Sequence, residues 1–285
     1  MPAPTSTKTL ARVTNANKSW DNTGLLVDTS VDTSVHASST CVGETPSTCV
    51  GEAAEKCNIL LTIDLTQSVA QEAVAKNTNV VIAYHPFIFR GLKSITPNDP
   101  QQKSLIKLIQ NNISVYSPHT AVDSAKGGVN DFLADGILGA FKEASRSVIS
   151  PDAKEDGCGM GRVVTLSEPA PLPALVENVK KSLGLTHVQV ATAHGKKAQL
   201  IRTIAICAGS GGSVFGKTNA DLYYTGELSH HEALFFRESG SSVIACNHSN
   251  TERAFLKVFQ HQLAKELPHA HISVSETDRD PYETW

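Results

Sequence analysis

Four short stretches place histidine or carboxylate just beyond an apolar, strand-like run. They are AYHP with His85, SPHTAVD with His119 and Asp123, TGELSHHEA with Glu227, His230 and His231, and CNHSNTER with His248 and Glu252. Imidazole and carboxylate are the mixed nitrogen and oxygen donors that suit zinc, manganese, iron or a similar divalent ion. The spacing in HSNTE carries the most weight. His248 sits at a strand exit and Glu252 lies four residues on. Residues four apart share one side of a helical turn, so an imidazole and a carboxylate can reach the same ion. Each stretch alone has a plainer alternative. A histidine beside a strand can be a hydrogen-bonded structural residue, and an aspartate near a turn can cap a helix. The chemistry requires the four stretches to meet.

The elements between them show how they could. NILLTIDL (58–65), NVVIAY (79–84) and ISVYSP (113–118) read as strands, separated by the helical patterns TQSVAQEAVAKN and PQQKSLIKLIQNN. The first helix carries Val69, Ala73 and Val74 on one face with Thr66 or Ser68 as cap, and the second carries Leu105, Leu108 and Ile109. Alternating strands and helices predict an α/β fold with mainly parallel sheets and crossover helices. The second half repeats this less regularly. RVVTL (162–166), HVQVAT (187–192), TIAICAG (203–209), ADLYYTG (220–226) and SSVIACN (241–247) read as strands, and LPALVENVKKSLG reads as a helix closed by Gly184. In an open parallel sheet, ligands bind beyond the carboxyl ends of the strands, where all four stretches fall. The expectation is two interlocked α/β halves, divided near residue 135 into 1–135 and 136–285. A mobile insertion is expected at 27–57, and a last helix over about 251–267 returns to the site.

Composition excludes some classes. The chain has 285 residues, 40% of them hydrophobic, and a net charge of −3. That length can bury a sizeable core. Mild acidity without a basic cluster argues against DNA binding by the chain itself. No apolar run reaches the roughly 20 residues of a membrane helix. The first residues lack the apolar block of a secretory signal and carry Lys8, Arg12 and Lys18 before the first acid, Asp21. A short first helix through Leu10 and Val13 and a mitochondrial transit segment are both open readings there. A cytoplasmic location is expected, with mitochondria as the alternative.

The six cysteines include no C-x-x-C pair, and Cys207 and Cys246 sit in apolar runs as small buried hydrophobes. Between 27 and 52 the chain repeats VDTS and STCVGE. These units are too short for a solenoid and read as an expanded surface loop. AGSGGS (208–213) follows a strand. It is either a tight turn or a cradle of backbone N–H groups for a phosphate.

Five blocks, SWDNTGLLV, AYHPFIF, YSPHTAVDSAKGGVND, ADLYYTGELSHHEAL and NHSNTERAF, occur in an order that resembles the NGG-one-interacting factor three family. Its members are also known as type 2 homologues of GTP cyclohydrolase I. The resemblance spans Trp20 to about Leu267. It implies an α/β fold, a homohexameric ring and a site for two divalent metal ions between the halves. It also implies metal ligands His85, Asp123, His248 and Glu252, with Glu252 touching both ions. The family's paired histidines are Tyr84 and His85 here, and a phenol is a poor ligand because its unperturbed pKa is about 10. The ion held by His85, His248 and Glu252 is therefore expected to bind more tightly, with the other weak or absent.

A metal site of this kind points to hydrolysis, with His119 or His231 moving the proton. A nucleotide or another phosphate-bearing compound is one option for the substrate. Two readings without turnover stand beside it. One is a scaffold that binds a transcriptional co-activator, as the family name suggests. The other is a metal chaperone that uses the same ligands.

Overall fold

Two sheets form, and the apolar alternation along their strands decides what each face covers. The computed structural model describes residues 21–30, 57–153, 155–194, 200–216 and 218–283. The expected first helix around Leu10 and Val13 and most of the expected insertion lie outside the described residues. In the first sheet, β2 (Asn58–Thr62), β3 (Val80–Ala83) and β4 (Ser114–Ser117) run parallel. They are joined through α1 (Gln67–Ala75) and α2 (Pro100–Gln110). Thr66, one of the two candidate caps, accepts from the Val69 N–H, and Asp99 caps α2 in the same way. Leu60, Val81 and Val115 face these helices and pack with Val69, Ala73, Leu105 and Leu108. Their neighbours Ile59, Leu61 and Ile82 point to the opposite face and enter a second, larger core. The central strand β3, VVIA, is apolar throughout, as a strand covered on both faces must be.

The second sheet contributes the other wall of that larger core. Its order is β5 (Glu143–Pro151), β6 (Gly159–Pro171), β8 (Leu200–Ser210), β9 (Leu222–Glu227), β10 (Ser242–Ala245) and β7 (Gln189–Ala191). Ile204, Ile206, Leu222, Tyr224 and Ile244 face inward. They meet α4 (Val129–Leu138) and α5 (Leu172–Leu183) through Leu133, Ile137, Leu175 and Val179. The outward residues Ala205, Cys207, Tyr223 and Val243 pack with Phe215 of α6 (Gly212–Phe215) and Phe236 of α7 (His230–Glu238). Gly184 ends α5 with φ +69, the left-handed cap read from the sequence.

Strand senses differ between the sheets. β8, β9 and β10 are parallel, whereas β5, β6 and β7 pair antiparallel. The long hairpin β5–β6 needs no crossover helix, which is why the strand–helix grammar weakens there. RVVTL proves to be the middle of the 13-residue β6. β1 (Gly24–Val27) adds antiparallel to β4 at the first sheet's edge.

The last helix is broken. α8 (Asn250–Arg253) and α9 (Leu256–Glu266) replace the continuous helix expected over 251–267. After α9 the chain adds β11 (His271–Val274) parallel to β2, so the carboxyl-terminal part returns to the first sheet and interlocks the halves. Among the described residues no helix is long and apolar enough to cross a membrane.

Glu72 on α1 secures this return. Its carboxylate accepts from Lys76 Nζ (2.8 Å), Ser275 Oγ (2.6 Å), Glu276 N (2.9 Å) and Thr277 Oγ1 (2.7 Å). Burial alone would raise the Glu72 carboxyl, but these hydrogen bonds outweigh it and hold it at about 2 against an ordinary 4.5. A depressed carboxyl stabilises the fold above its unfolded value and loses that contribution as pH falls through its folded value. Glu72→Gln is expected to cost about 1–3 kcal/mol near neutral pH. The deficit should shrink as pH drops through the window from the ordinary carboxyl value down to the Glu72 value. Urea unfolding of both proteins across that range checks this.

Candidate metal centre

Strand ends from both sheets meet at one place. β3 runs into Tyr84 and His85, β4 into His119, β2 into Asp64, β9 ends on Glu227, and β10 leads to Asn247 and His248. Asn247 takes φ +67, the left-handed turn that an Asn tolerates, and the chain reverses there into α8 and Glu252. Nδ1, Nε2 or carboxylate atoms of His85, His248 and Glu252 lie within 4.8 Å of one another.

Glu252 is the centre of this group. It is 3% exposed, and its two oxygens face different imidazoles. Oε2 is 3.3 Å from His85 Nε2, and Oε1 is 3.4 Å from His248 Nε2. The first approach has the length of an ion pair without the alignment of a hydrogen bond. His85 Nε2 and Glu252 Oε2 are both buried, and neither has a hydrogen-bond partner. Tetrahedral donors about 2.0–2.2 Å from an ion stand about 3.3–3.6 Å from each other. The spacing fits donors arranged round a cation, and the unpartnered pair is what a cation would satisfy.

Both imidazoles are oriented from behind. His85 Nδ1 lies 2.9 Å from Asp64 Oδ1, and His248 Nδ1 lies 2.8 Å from Glu227 Oε1. A carboxylate on Nδ1 fixes the tautomer with Nε2 free to coordinate and makes the ring a better donor. The same carboxylates shape the electrostatics. Burial works against charge on His85, but Asp64 and Glu252 overcome it and push the imidazole up to about 10. Burial, and then the charge of Glu252, pushes Asp123 up to about 7.

Asp123 is near the group and outside it. Tyr84 is 1% exposed, and its hydroxyl donates to Asp123 Oδ1. Burial first, then the charges of Asp123 and Glu252, holds the Tyr84 phenol well above its ordinary value. So Tyr84 packs and also occupies the aspartate. Asn130, fully buried, donates to the Asp123 carbonyl and accepts from the Ala208 N–H, which ties α3 (Thr120–Ser124) to β8.

His119 is brought to the site. Its ring centroid is 5.7 Å from that of His85, and its Nδ1 is 2.6 Å from Asp21 Oδ1. Thr120 also donates to Asp21, whose carboxyl is held below its ordinary value by His119 and Thr120 although burial would raise it. His119 sits at φ +40, a conformation non-glycine residues seldom adopt. His231 is not brought to the site. It is exposed on the first turn of α7, where its ring meets His230. The Ser229–Glu232 capping box satisfies the backbone N–H groups of that turn.

The glycine-rich stretch serves close packing. A Cβ on Gly209 would lie 2.9 Å from His248 Nε2 and 3.0 Å from Glu252 Oε1, and φ there is +62. One on Gly226 would lie 2.8 Å from His248 Cα. These glycines let the backbone approach the donors, which accounts for Gly209 without a phosphate. Asp64 and Asp21 were not singled out as site residues from the sequence. The signal for Asp64 was a lone acid closing the apolar run NILLTIDL; the signal for Asp21 was its place in the WDN block.

A family model described as Duf34/NIF3 (NGG1p interacting factor 3) matches residues 6–281. The chain belongs to the DUF34/NIF3 family. Among its DUF34/NIF3 relatives, the Saccharomyces cerevisiae NGG1-interacting factor 3 is 46% identical over 93% of this chain and 90% of its own. A Schizosaccharomyces pombe NIF3 homolog is also 46% identical, over 93% of this chain and 91% of its own. The Bos taurus NIF3-like protein 1 is 33% identical over 93% and 87%. In fold, the chain is similar to the Staphylococcus aureus hypothetical protein SA1388, with a TM-score of 0.77 at 23% identity over 98% of this chain and 97% of that one. A Bacillus cereus protein related to NIF3 has a TM-score of 0.75 at 20% identity, with both chains fully covered.

Two outcomes test this geometry within the DUF34/NIF3 fold. Tyr84→His removes the phenol from Asp123 and adds an imidazole, and is expected to raise bound zinc from about one towards about two ions per chain. Gly209→Ala forces a methyl against His248 and Glu252 and is expected to weaken zinc affinity at least about tenfold. Elemental analysis and competition with a chromogenic chelator measure both.

Proposed function

We propose that the chain binds a divalent transition-metal ion through His85, His248 and Glu252 and acts as a metal-dependent hydrolase. The observation that carries this reading is the facing, buried and unpartnered pair His85 Nε2 and Glu252 Oε2. Two imidazoles and a carboxylate are the donor set of an open catalytic site. Bound there, an ion would supply a Lewis acid and lower the pKa of water towards neutrality. Asp64 and Glu227 hold the imidazoles in the coordinating tautomer. His119, hydrogen-bonded to Asp21 and beside His85, would take up and return a proton. Asp123 and Glu252 would hold a second, weaker ion, and the Tyr84 hydroxyl that donates to Asp123 competes with that role.

A second reading rests on the name of a relative. The yeast NGG1-interacting factor 3 is 46% identical over most of both chains, which supports binding of a transcriptional co-activator. Family resemblance also supports a homohexamer. A metal chaperone would use the same three donors without turnover.

Glu252→Gln separates these readings, because it keeps the side chain's shape and removes the charge. Elemental analysis of the purified chain should find a divalent metal, and the variant is expected to lose at least about 90% of it. A screen of phosphoesters, nucleotides and cyclic amides should find turnover only with the metal-loaded parent. Turnover that survives in the metal-free variant would sink the hydrolase reading. Retained co-activator binding by that variant would show that the scaffold role is independent of the metal.

A further inference from the structure

Two cavities touch His85, and their walls describe what could enter. One, about 350 Å³, lies between the amino ends of α1 and α2 and is lined by Gln67, Gln101, Ser104 and Phe87 among others. The other, about 180 Å³, lies over His85 and His248. Its acidic lining consists of Asp64, Glu227 and Asp280. Neither cavity is lined by a lysine or an arginine among the described residues. The nearby cation Arg253 is spent on Asp278, at 3.3 Å to both carboxylate oxygens. Even with a doubly charged ion in place, Glu252, Asp64, Glu227 and Asp280 leave this cleft net negative.

The carboxyl-terminal strap supplies the rim. Asp278 accepts from the Ile63 N–H at 2.9 Å, and Asp280 accepts from Ser249 Oγ at 3.0 Å and from the Tyr282 N–H at 2.8 Å. These ties fix the strap to the end of β2 and to the turn entering α8. The result is an aromatic ring, Tyr282, 77% exposed and lining the smaller cavity. Holding a large ring in water has no packing benefit, whereas its face can stack on a planar group and attracts positive charge.

We propose that the metal-site cleft takes a small planar ring compound, uncharged or cationic, seated on Tyr282 beside His85 and His248, and turns away polyphosphates. The inference deepens the hydrolase reading by naming its substrate class, and it rests on that reading only for what happens after binding. The acidic lining repels a triphosphate. The tyrosine face and the absence of a cationic clamp among the described residues favour a ring with little or no negative charge.

Calorimetry on the full chain loaded with zinc tests this with matched probes, benzamidinium against phenyl phosphate and guanosine against GTP. The cation and the nucleoside should bind, with each phosphorylated partner at least about tenfold weaker and the gap narrowing at high salt. Tyr282→Ala should weaken the ring probes about five- to tenfold. Tyr282→Phe should restore them, with zinc content unchanged in both variants. Tighter or equal binding of the phosphorylated partners overturns the proposal. So does wild-type binding by Tyr282→Ala, or no ring binding by a chain that holds zinc. If zinc is not retained while the ring preference persists, the hydrolase reading fails and the cleft's selectivity stands.

Discussion

A buried carboxylate between two imidazoles, Glu252, sets the terms for the rest of the site. A charge taken out of water needs a partner of opposite sign, and without one the cost is several kcal/mol. Here the partners are oriented so that they do not complete the bond themselves. His85 and His248 have their Nδ1 atoms committed to Asp64 and Glu227, and their Nε2 atoms face Glu252 Oε2 and Oε1, with no hydrogen bond between His85 Nε2 and Oε2. Several backbone features exist to keep that geometry. Asn247 turns the chain left-handed, α8 stops after four residues, and Gly209 gives up a side chain so that β8 can pass behind the donors.

Tyr84 shows how a single side chain changes the neighbouring position. Its hydroxyl gives Asp123 a neutral partner, so this second acid is satisfied without a cation. Burial and Glu252 already push Asp123 towards its protonated form, and a donated hydrogen bond from a phenol pulls the other way. The site is therefore asymmetric. One side presents a buried carboxylate to two imidazoles, and the other pairs its acid with a phenol hydroxyl.

The tail joins fold and site. The segment that completes the first sheet as β11 and locks onto Glu72 continues as the strap whose Asp280 and Tyr282 line the cleft. Stability at the far edge of the sheet and the shape of the cleft's rim are thus coupled through one short segment.

Much of this was legible in the sequence because it rests on local rules. β-branched runs alternate with amphipathic helices, so the strands β2, β3, β4, β8, β9 and β10 and the helices α1, α2 and α5 can be read directly. The four-residue spacing in HSNTE puts His248 and Glu252 within reach of one ion for the same reason. Other features depend on long-range contact, which leaves little local trace. β11 pairs with β2 across more than two hundred residues, β5 is a polar, half-exposed strand, and the two-residue break between α8 and α9 has no glycine or proline to announce it. His119 and His231 look equivalent as sequence, each just past a strand. Only the tertiary structure separates them, because Asp21, nearly a hundred residues earlier, holds one imidazole beside His85, while the other lies exposed on the first turn of α7.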